Sequence, residues 1–254
     1  MPAFCVFCCN PADSREHLWP DWLNEVLPNL TETRYFLNRG SRGGHTWTSK
    51  KPATHRIGAV CDGCNTGWMS NLETDAQPIL TPMINGRKTR LTKIAQRTVA
   101  AWAFKTAVIG EQITPSAART PNEHRHWLRD HAEPPAAAFV FIAATDAKWI
   151  GDTHYGGIYM FADSSAGILP AGTPIAYGAT LVIRHLALQV VAGLIEDAAF
   201  AHQAPLNASV RRIWPSIAAF EWPPGPVLTP PALDALANHW RGSGEPVEPS
   251  PTGP

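Results

Sequence analysis

The chain has 254 residues, of which 17% are charged and 44% are hydrophobic, a composition typical of a folded globular protein and not of a disordered one. Lysine plus arginine and aspartate plus glutamate each number 21, so the formal net charge is zero. This total conceals a division, because residues 1–110 contain 13 basic and 8 acidic side chains, whereas residues 111–254 contain 8 and 13. Charge asymmetry between halves indicates partners better than the total does, so neutrality does not exclude a polyanionic partner.

Membrane and export signals are not apparent in the sequence. The longest apolar stretches, 136–144 and 186–194, are much shorter than the roughly 20 residues that a membrane helix needs. The first residues lack the basic region followed by an apolar run that is typical of a signal peptide. We therefore expect a cytoplasmic protein with no membrane span.

The five cysteines all lie within the first 64 residues, and four of them form two C-x-x-C pairs, Cys5 with Cys8 and Cys61 with Cys64. Disulfides do not persist in a reducing compartment, so paired C-x-x-C motifs indicate metal ligands. Four thiolates complete the tetrahedral shell of a structural Zn²⁺ ion. Cys9 is either a free thiol or the ligand in place of Cys8.

An adjacent acid and histidine, Glu16-His17, lie between the two pairs, and Asn65 directly follows the second pair. The longer strings, E-H-x-x-P-x-W-L and C-x-x-C-N-x-G-W-M-x-x-L-E, cover residues 16–23 and 61–73. This layout resembles the HNH endonucleases, also called His-Me finger or ββα-metal nucleases, and in particular a zinc-stapled bacterial subgroup. The resemblance covers about residues 3–75 and implies a ββα-metal fold there.

The resemblance also implies roles for these residues. It implies that His17 is the general base that activates water for phosphodiester hydrolysis, and a neutral imidazole suits that task near pH 7. Glu16 and Asn65 are implied ligands of a catalytic divalent cation such as Mg²⁺, which prefers oxygen donors. The implied partner is nucleic acid, DNA in preference to RNA.

Three departures from the family pattern leave an alternative open. Glu16 stands where aspartate is commoner, the loop between His17 and Cys61 is long, and residues 54–57 lack the middle asparagine of the family. His55 either fills that gap or is a solvated loop residue. The alternative function is a non-catalytic zinc module that binds nucleic acid or protein and keeps a degenerate site.

The insertion at residues 31–56 is basic. Its Arg39–Gly44 segment predicts a turn between strands at 34–37 and 45–48. A second basic run extends from residue 87 to residue 105. Lysine and arginine bind phosphates independently of base sequence, so both runs are candidates for a nucleic-acid surface, although each also fits an ordinary solvated surface. The candidates in the insertion are Arg34, Arg39, Arg42, Lys50, Lys51 and Arg56, and those in the second run are Arg87, Lys88, Arg90, Lys93, Arg97 and Lys105.

Helices are predicted at three places. The first starts near Asn65 and ends at Pro78. Its Glu73 either reaches the site or lies on a solvated face, and the solvated face is the preferred interpretation. Apolar residues at helical spacing predict a second helix over 91–109, and a third over 122–131 with Asn122 as its cap. The spacing of His124, His126 and His131 does not put all three on one helical face, so these are interpreted as surface residues.

Strands are predicted at 138–145, at 157–161 and, as one or two strands, within 179–192. The fold class is therefore α+β. We expect a zinc-stapled module at 1–80, an α+β domain of unknown role at 81–240, with a proline-rich strap over it from residue 205 onward, and a disordered tail at 241–254.

Overall fold

A computed structural model gives the structure of residues 4–27, 33–38, 44–49, 55–113, 119–146, 153–161, 170, 172–194 and 206–238. For residues 33–38, 44–49, 153–161, 234, 237 and 238 it describes the backbone alone. The predicted tail at 241–254 lies outside the described residues, as do four of the basic residues of the insertion, Arg39, Arg42, Lys50 and Lys51.

The first part of the chain forms two small antiparallel pairs of strands. Strand β1 (Ser14–His17) pairs with β4 (Arg56–Val60), which puts Glu16 opposite Ile57 and His17 opposite Arg56. Between them lie a short helix, α1 (Leu23–Val26), and the hairpin strands β2 (Thr33–Asn38) and β3 (Gly44–Ser49). The hairpin predicted within the basic insertion is confirmed.

A nearly continuous helical segment follows β4. It comprises α2 (Asp62–Cys64), a π-helical turn (Asn65–Met69) and α3 (Ser70–Ile84). The prediction that this helix ends at Pro78 is wrong, because α3 contains both Pro78 and Pro82. Each proline removes a backbone hydrogen bond, but one face of the helix is buried, and that packing keeps the segment helical; its buried residues are Leu72, Ala76, Leu80, Met83 and Ile84.

Helix α4 (Lys93–Gly110) is the central element of the core. Its Thr92 cap accepts a hydrogen bond from the Ala95 amide at 3.2 Å. Every residue from 99 to 110 is buried, as expected for a helix covered by neighbours on all sides. Next comes α5 (Asn122–His131), whose predicted bounds are confirmed. Its capping position is held by Pro121 and not by Asn122, because the backbone is already helical at Asn122.

Five antiparallel strands form the main sheet in the order β10-β6-β9-β8-β7. Their bounds are β6 (Ala138–Ala144), β7 (Thr153–Phe161), β8 (Pro174–Ile183), β9 (Leu186–Gly193) and β10 (Arg211–Trp214). Alternate β6 residues pack on opposite sides: Val140 and Ile142 in the core that contains α4, Phe141 and Ala143 with the last helix, α6 (Pro230–Asn238). Because helices cover both faces, β8 and β9 are buried along most of their length.

The segment after residue 205 contributes one strand to the main sheet and another to a small separate pair of strands. Strand β10 extends the main sheet, and β11 (Phe220–Trp222) pairs with β5 (Thr89–Leu91) just before α4. The buried Gln96 amide holds the loop between them, because Nε2 donates to the Ile217 carbonyl and Oε1 accepts from the Ile217 amide.

One hydrophobic cluster extends from Phe7 and Trp19 through Trp102 and Phe104 of α4 to Val190 of the main sheet. The structure is therefore of mixed α+β class, as predicted. The division of the chain at residue 80 stays a prediction. Among the helices of the described residues, none is both long and apolar enough to cross a membrane.

Candidate functional site

The sulfur atoms of Cys5, Cys8, Cys61 and Cys64 lie within 4.8 Å of one another and could hold a metal ion. The Cys8 and Cys61 sulfurs are 3.4 Å apart. A tetrahedral zinc ion with Zn–S bonds of about 2.3 Å holds its sulfurs about 3.8 Å apart, so both the donor set and the spacing fit Zn²⁺. The predicted four-cysteine cluster is confirmed as a possible structural zinc centre.

Local backbone geometry directs the sulfurs inward. The Phe7 amide donates to Cys5 Sγ at 3.5 Å, and the Cys64 amide donates to Cys61 Sγ at 3.4 Å, where Cys61 caps α2. Cys9 is exposed and outside the cluster, with its sulfur 3.7 Å from His126 Nε2. Cys8 and not Cys9 is therefore the fourth member.

An open cleft of about 220 Å³ lies beside β1, and no cysteine lines it. Strand β1 supplies Glu16 and His17, and the helical segment after β4 supplies Asn65 and Glu73. The three residues implied as catalytic thus share one cavity, apart from the sulfur cluster. The complete lining is Glu16, His17, Pro20, Asp21, Trp22, Asn65, Met69, Ser70 and Glu73.

A buried ion triad forms the inner end of this cleft. Lys105 of α4 has no exposed surface, and its Nζ donates to Glu16 Oε1 at 2.8 Å and to Glu73 Oε1. Glu73 Oε2 accepts from the indole Nε1 of Trp22 at 2.8 Å and of Trp102 at 2.9 Å. Burial acts to lower the pKa of Lys105, but the attraction of Glu73 and then Glu16 outweighs it and holds this pKa above its ordinary value.

This triad decides between the two interpretations of Glu73, which lines the cleft, and corrects the interpretation of Lys105. Glu73 is not on a solvated face but contacts Lys105 and two tryptophans, and Lys105 is not a surface base available to phosphates. A sequence signal for both existed, because Lys105 lies among apolar residues of α4 and a buried ammonium requires an anionic partner. Glu73 follows Met69 by four residues and Asn65 by eight. A helix puts residues at these spacings on the same face.

His17 contacts the basic side chain opposite it on β4. Arg56 Nε donates to His17 Nε2 at 2.8 Å. The pKa of His17 is below its ordinary value of 6.5. Desolvation by burial is the larger cause, and the positive charge of Arg56 is the second. The imidazole is therefore neutral near pH 7, with its proton on Nδ1.

Asn65 is oriented by β1. Its Nδ2 donates to Ser14 Oγ at 2.9 Å and to the Arg15 carbonyl at 3.5 Å. Because a carbonyl only accepts, these contacts identify the nitrogen of the amide, and Oδ1 points elsewhere. No group in the described part of the chain donates to Asn65 Oδ1, and Asn65 lines the same cleft as Glu16.

The remaining basic candidates are not gathered at the cleft. Arg56 is exposed beside it, while the side chain of Arg34 lies outside the described atoms. In the second run, Arg90 forms an ion pair with Glu221 and Arg97 forms one with Glu133. The other three, Arg87, Lys88 and Lys93, are exposed.

The histidines of α5 differ in environment. His124 is half-buried, with Nδ1 2.6 Å from the hydroxyl of Tyr177 on β8, so its interpretation as a surface residue is wrong. His131 is exposed and stacks on Trp127 with ring centroids 3.8 Å apart. The sequence lacked a signal for the His124 contact, because it depends on how α5 packs against the sheet.

No protein-family model matches the chain, and no curated protein or solved structure matches it either.

Proposed function

We propose that the chain is a metal-dependent endonuclease of the HNH type that hydrolyses phosphodiester bonds in nucleic acid. The observation that carries this proposal is that Glu16, His17 and Asn65 line one open cleft. An acid, a base and an amide oxygen are the groups that metal-assisted hydrolysis needs at one point. The sulfur cluster lies elsewhere, so a structural zinc ion would not compete for the same donors.

In this proposal Glu16 and Asn65 hold the catalytic divalent cation through a carboxylate and an amide oxygen. Both donors suit Mg²⁺ or Mn²⁺, which keep several waters and share substrate phosphates. When bound, the cation supplies stabilisation of the negative charge that develops on the phosphate and the leaving oxygen.

His17 acts as the general base of the reaction. Its Nε2 takes a proton from the attacking water, whose oxygen bonds to phosphorus while the ester P–O bond breaks and the departing oxygen takes a proton from solvent. In the free protein Arg56 occupies Nε2. Transfer of the exposed Arg56 guanidinium to a substrate phosphate leaves Nε2 free for the water, since guanidinium and phosphate form strong paired hydrogen bonds.

A second candidate is a non-catalytic zinc module that binds nucleic acid or protein. Two observations favour it: Glu16 is neutralised by Lys105, and residues 54–57 lack the asparagine of the family. In that case the cleft is a remnant, and the contacts of Glu16 and His17 serve only stability.

Incubation of the purified chain with supercoiled plasmid, or with RNA, and Mg²⁺ or Mn²⁺ separates the two candidates. We expect cleavage by the wild type and a loss of at least about 100-fold in His17→Ala, the lower range for a general base. His131→Ala, which changes an exposed histidine of α5, is the control and should cleave as the wild type does.

Equal cleavage by the wild type and His17→Ala would contradict the assigned base. Absence of cleavage with either ion and either substrate would overturn the nuclease proposal in favour of the binding module.

A further inference from the structure

The two carboxylates of the ion triad differ in how many hydrogen bonds they accept. Both oxygens of Glu73 are used, one by Lys105 and the other by the indoles of Trp22 and Trp102. Glu16 is buried, at 8% exposure, and gives only Oε1 to Lys105. No group within the described residues donates to Glu16 Oε2, although Glu16 lines the cleft.

Lys105 also sets the charge beside the cleft. Two carboxylates and one ammonium give the triad a formal charge of −1. Without the ammonium, two neighbouring carboxylates would attract a divalent cation strongly, since like charges in a part-buried site are poorly screened by water.

We propose that Lys105 is a positioning residue that limits the affinity of the cleft for a divalent cation. It fixes the Glu16 carboxylate by one oxygen, leaves the other oxygen for the cation, and cancels one of the two negative charges. The free protein then binds the cation weakly, and substrate phosphate completes the site. This inference rests on the proposed function only in taking Glu16 as a ligand of the cation.

The triad offers a series of variants ordered by local charge. Lys105→Met changes the formal charge from −1 to −2, and Glu73→Gln changes it to 0 while the new amide oxygen still accepts from the indoles. The double variant Lys105→Met/Glu73→Gln restores −1 without an ammonium. Glu221→Gln removes a surface carboxylate that pairs with Arg90, and it serves as the control.

The experiment is titration of the zinc-loaded full chain with Mn²⁺, without nucleic acid, followed by calorimetry or by the electron paramagnetic resonance of free Mn²⁺. Relative to the wild type, we expect binding at least about tenfold tighter in Lys105→Met and about tenfold weaker in Glu73→Gln. The double variant and Glu221→Gln should bind within about threefold of the wild type. If Lys105→Met does not fold, the charge order is still tested by the wild type, Glu73→Gln and the double variant, with Glu221→Gln as the control.

Equal affinities across the series, or weaker binding in the double variant than in Glu73→Gln, would overturn the inference. Its failure is distinguishable from failure of the proposed function. Mn²⁺ affinities that follow the charge order, without cleavage of plasmid or RNA, would support the role of Lys105 and contradict the nuclease proposal. Cleavage with Mn²⁺ affinities that do not follow the charge order would support the nuclease proposal and contradict the role of Lys105.

Discussion

Removal of an ammonium group from water costs several kcal/mol, and anionic partners must offset that cost. Lys105 has two, Glu16 and Glu73, and the indoles of Trp22 and Trp102 add hydrogen bonds to the second carboxylate. Replacing a whole buried ion set by apolar residues of similar volume is often neutral or stabilising, whereas removing one member alone leaves an unpaired buried charge and is destabilising. Each member of the triad is therefore expected to be needed for stability as well as for any role in the cleft.

The half-buried His124 gives a prediction of pH dependence. Burial lowers its pKa below the ordinary value of 6.5, against an opposing effect of Glu123. An unfolded chain with a higher histidine pKa binds the proton first, so the stability that this group contributes is present above about pH 6.5 and is lost as the pH falls through the lower, folded-state value. In His124→Gln we therefore expect the free energy of unfolding to fall less between pH 8 and pH 5 than in the wild type.

Urea denaturation at the two pH values measures this difference, and each protein is its own reference at pH 8. His17 and His55, whose pKa values burial also lowers, contribute to the slope of both proteins and cancel in the comparison. An identical loss of stability in the variant and the wild type would show that His124 titrates alike in the folded and unfolded chains.

The sulfur cluster could be predicted from the sequence alone. The two C-x-x-C pairs predicted the sulfur cluster because its ligands come in fixed local spacings. The contacts of Lys105 could not be derived in the same way, since its partners Glu16 and Glu73 are 89 and 32 residues away in sequence. These contacts depend on how α4 packs against β1 and α3.

Strands β1 and β4 and the helical segment after them form the element that carries the candidate site. The sulfur cluster joins residues 5–8 to residues 61–64, so it closes a loop that contains both strands of this element. Closing a loop of this length in the unfolded chain is costly in entropy, and a bound ion removes that cost from folding.

Zinc removal tests this element. We expect about one zinc ion per purified chain, and Cys61→Ser should lose the ion and unfold at a lower temperature, because a structural zinc site contributes its binding free energy to folding. Cys9→Ser is the matched control, since Cys9 lies outside the cluster and faces His126. Metal analysis together with thermal unfolding provides both readouts.

A zinc content near zero in freshly purified wild type would contradict the four-thiolate centre. Loss of zinc in Cys9→Ser but not in Cys61→Ser would assign the ligands differently from the structure.

Elements were predictable from the sequence to the extent that a local pattern determines them. The hairpin in the insertion, α5 and β6 agree closely with their predicted positions. Strands β7 and β8 begin four and five residues earlier than predicted, and β10 was not predicted as a strand. Helix α3 continues past Pro78 to Ile84 because long-range burial of one face outweighs the local cost of two prolines. The sequence carried a signal for this continuation, because Leu72, Ala76, Leu80 and Met83 recur at helical spacing across Pro78.

At the scale of the molecule, α4 connects the candidate site to the rest of the fold. Lys105 on this helix binds Glu16 and Glu73, while Phe104 makes an edge contact with Tyr177 of β8. Helix α4 therefore joins two of the residues that line the cleft to the main sheet.

We propose that the cleft beside β1 holds a divalent cation separately from the zinc centre. Crystals of the zinc-loaded chain soaked in Mn²⁺, measured at wavelengths that distinguish the two metals by anomalous scattering, test it directly. We predict a zinc peak among Cys5, Cys8, Cys61 and Cys64 and a manganese peak bonded to oxygens of Glu16 and Asn65. A zinc peak at the cysteines with no manganese in the cleft at saturating Mn²⁺ would contradict the proposed cation site.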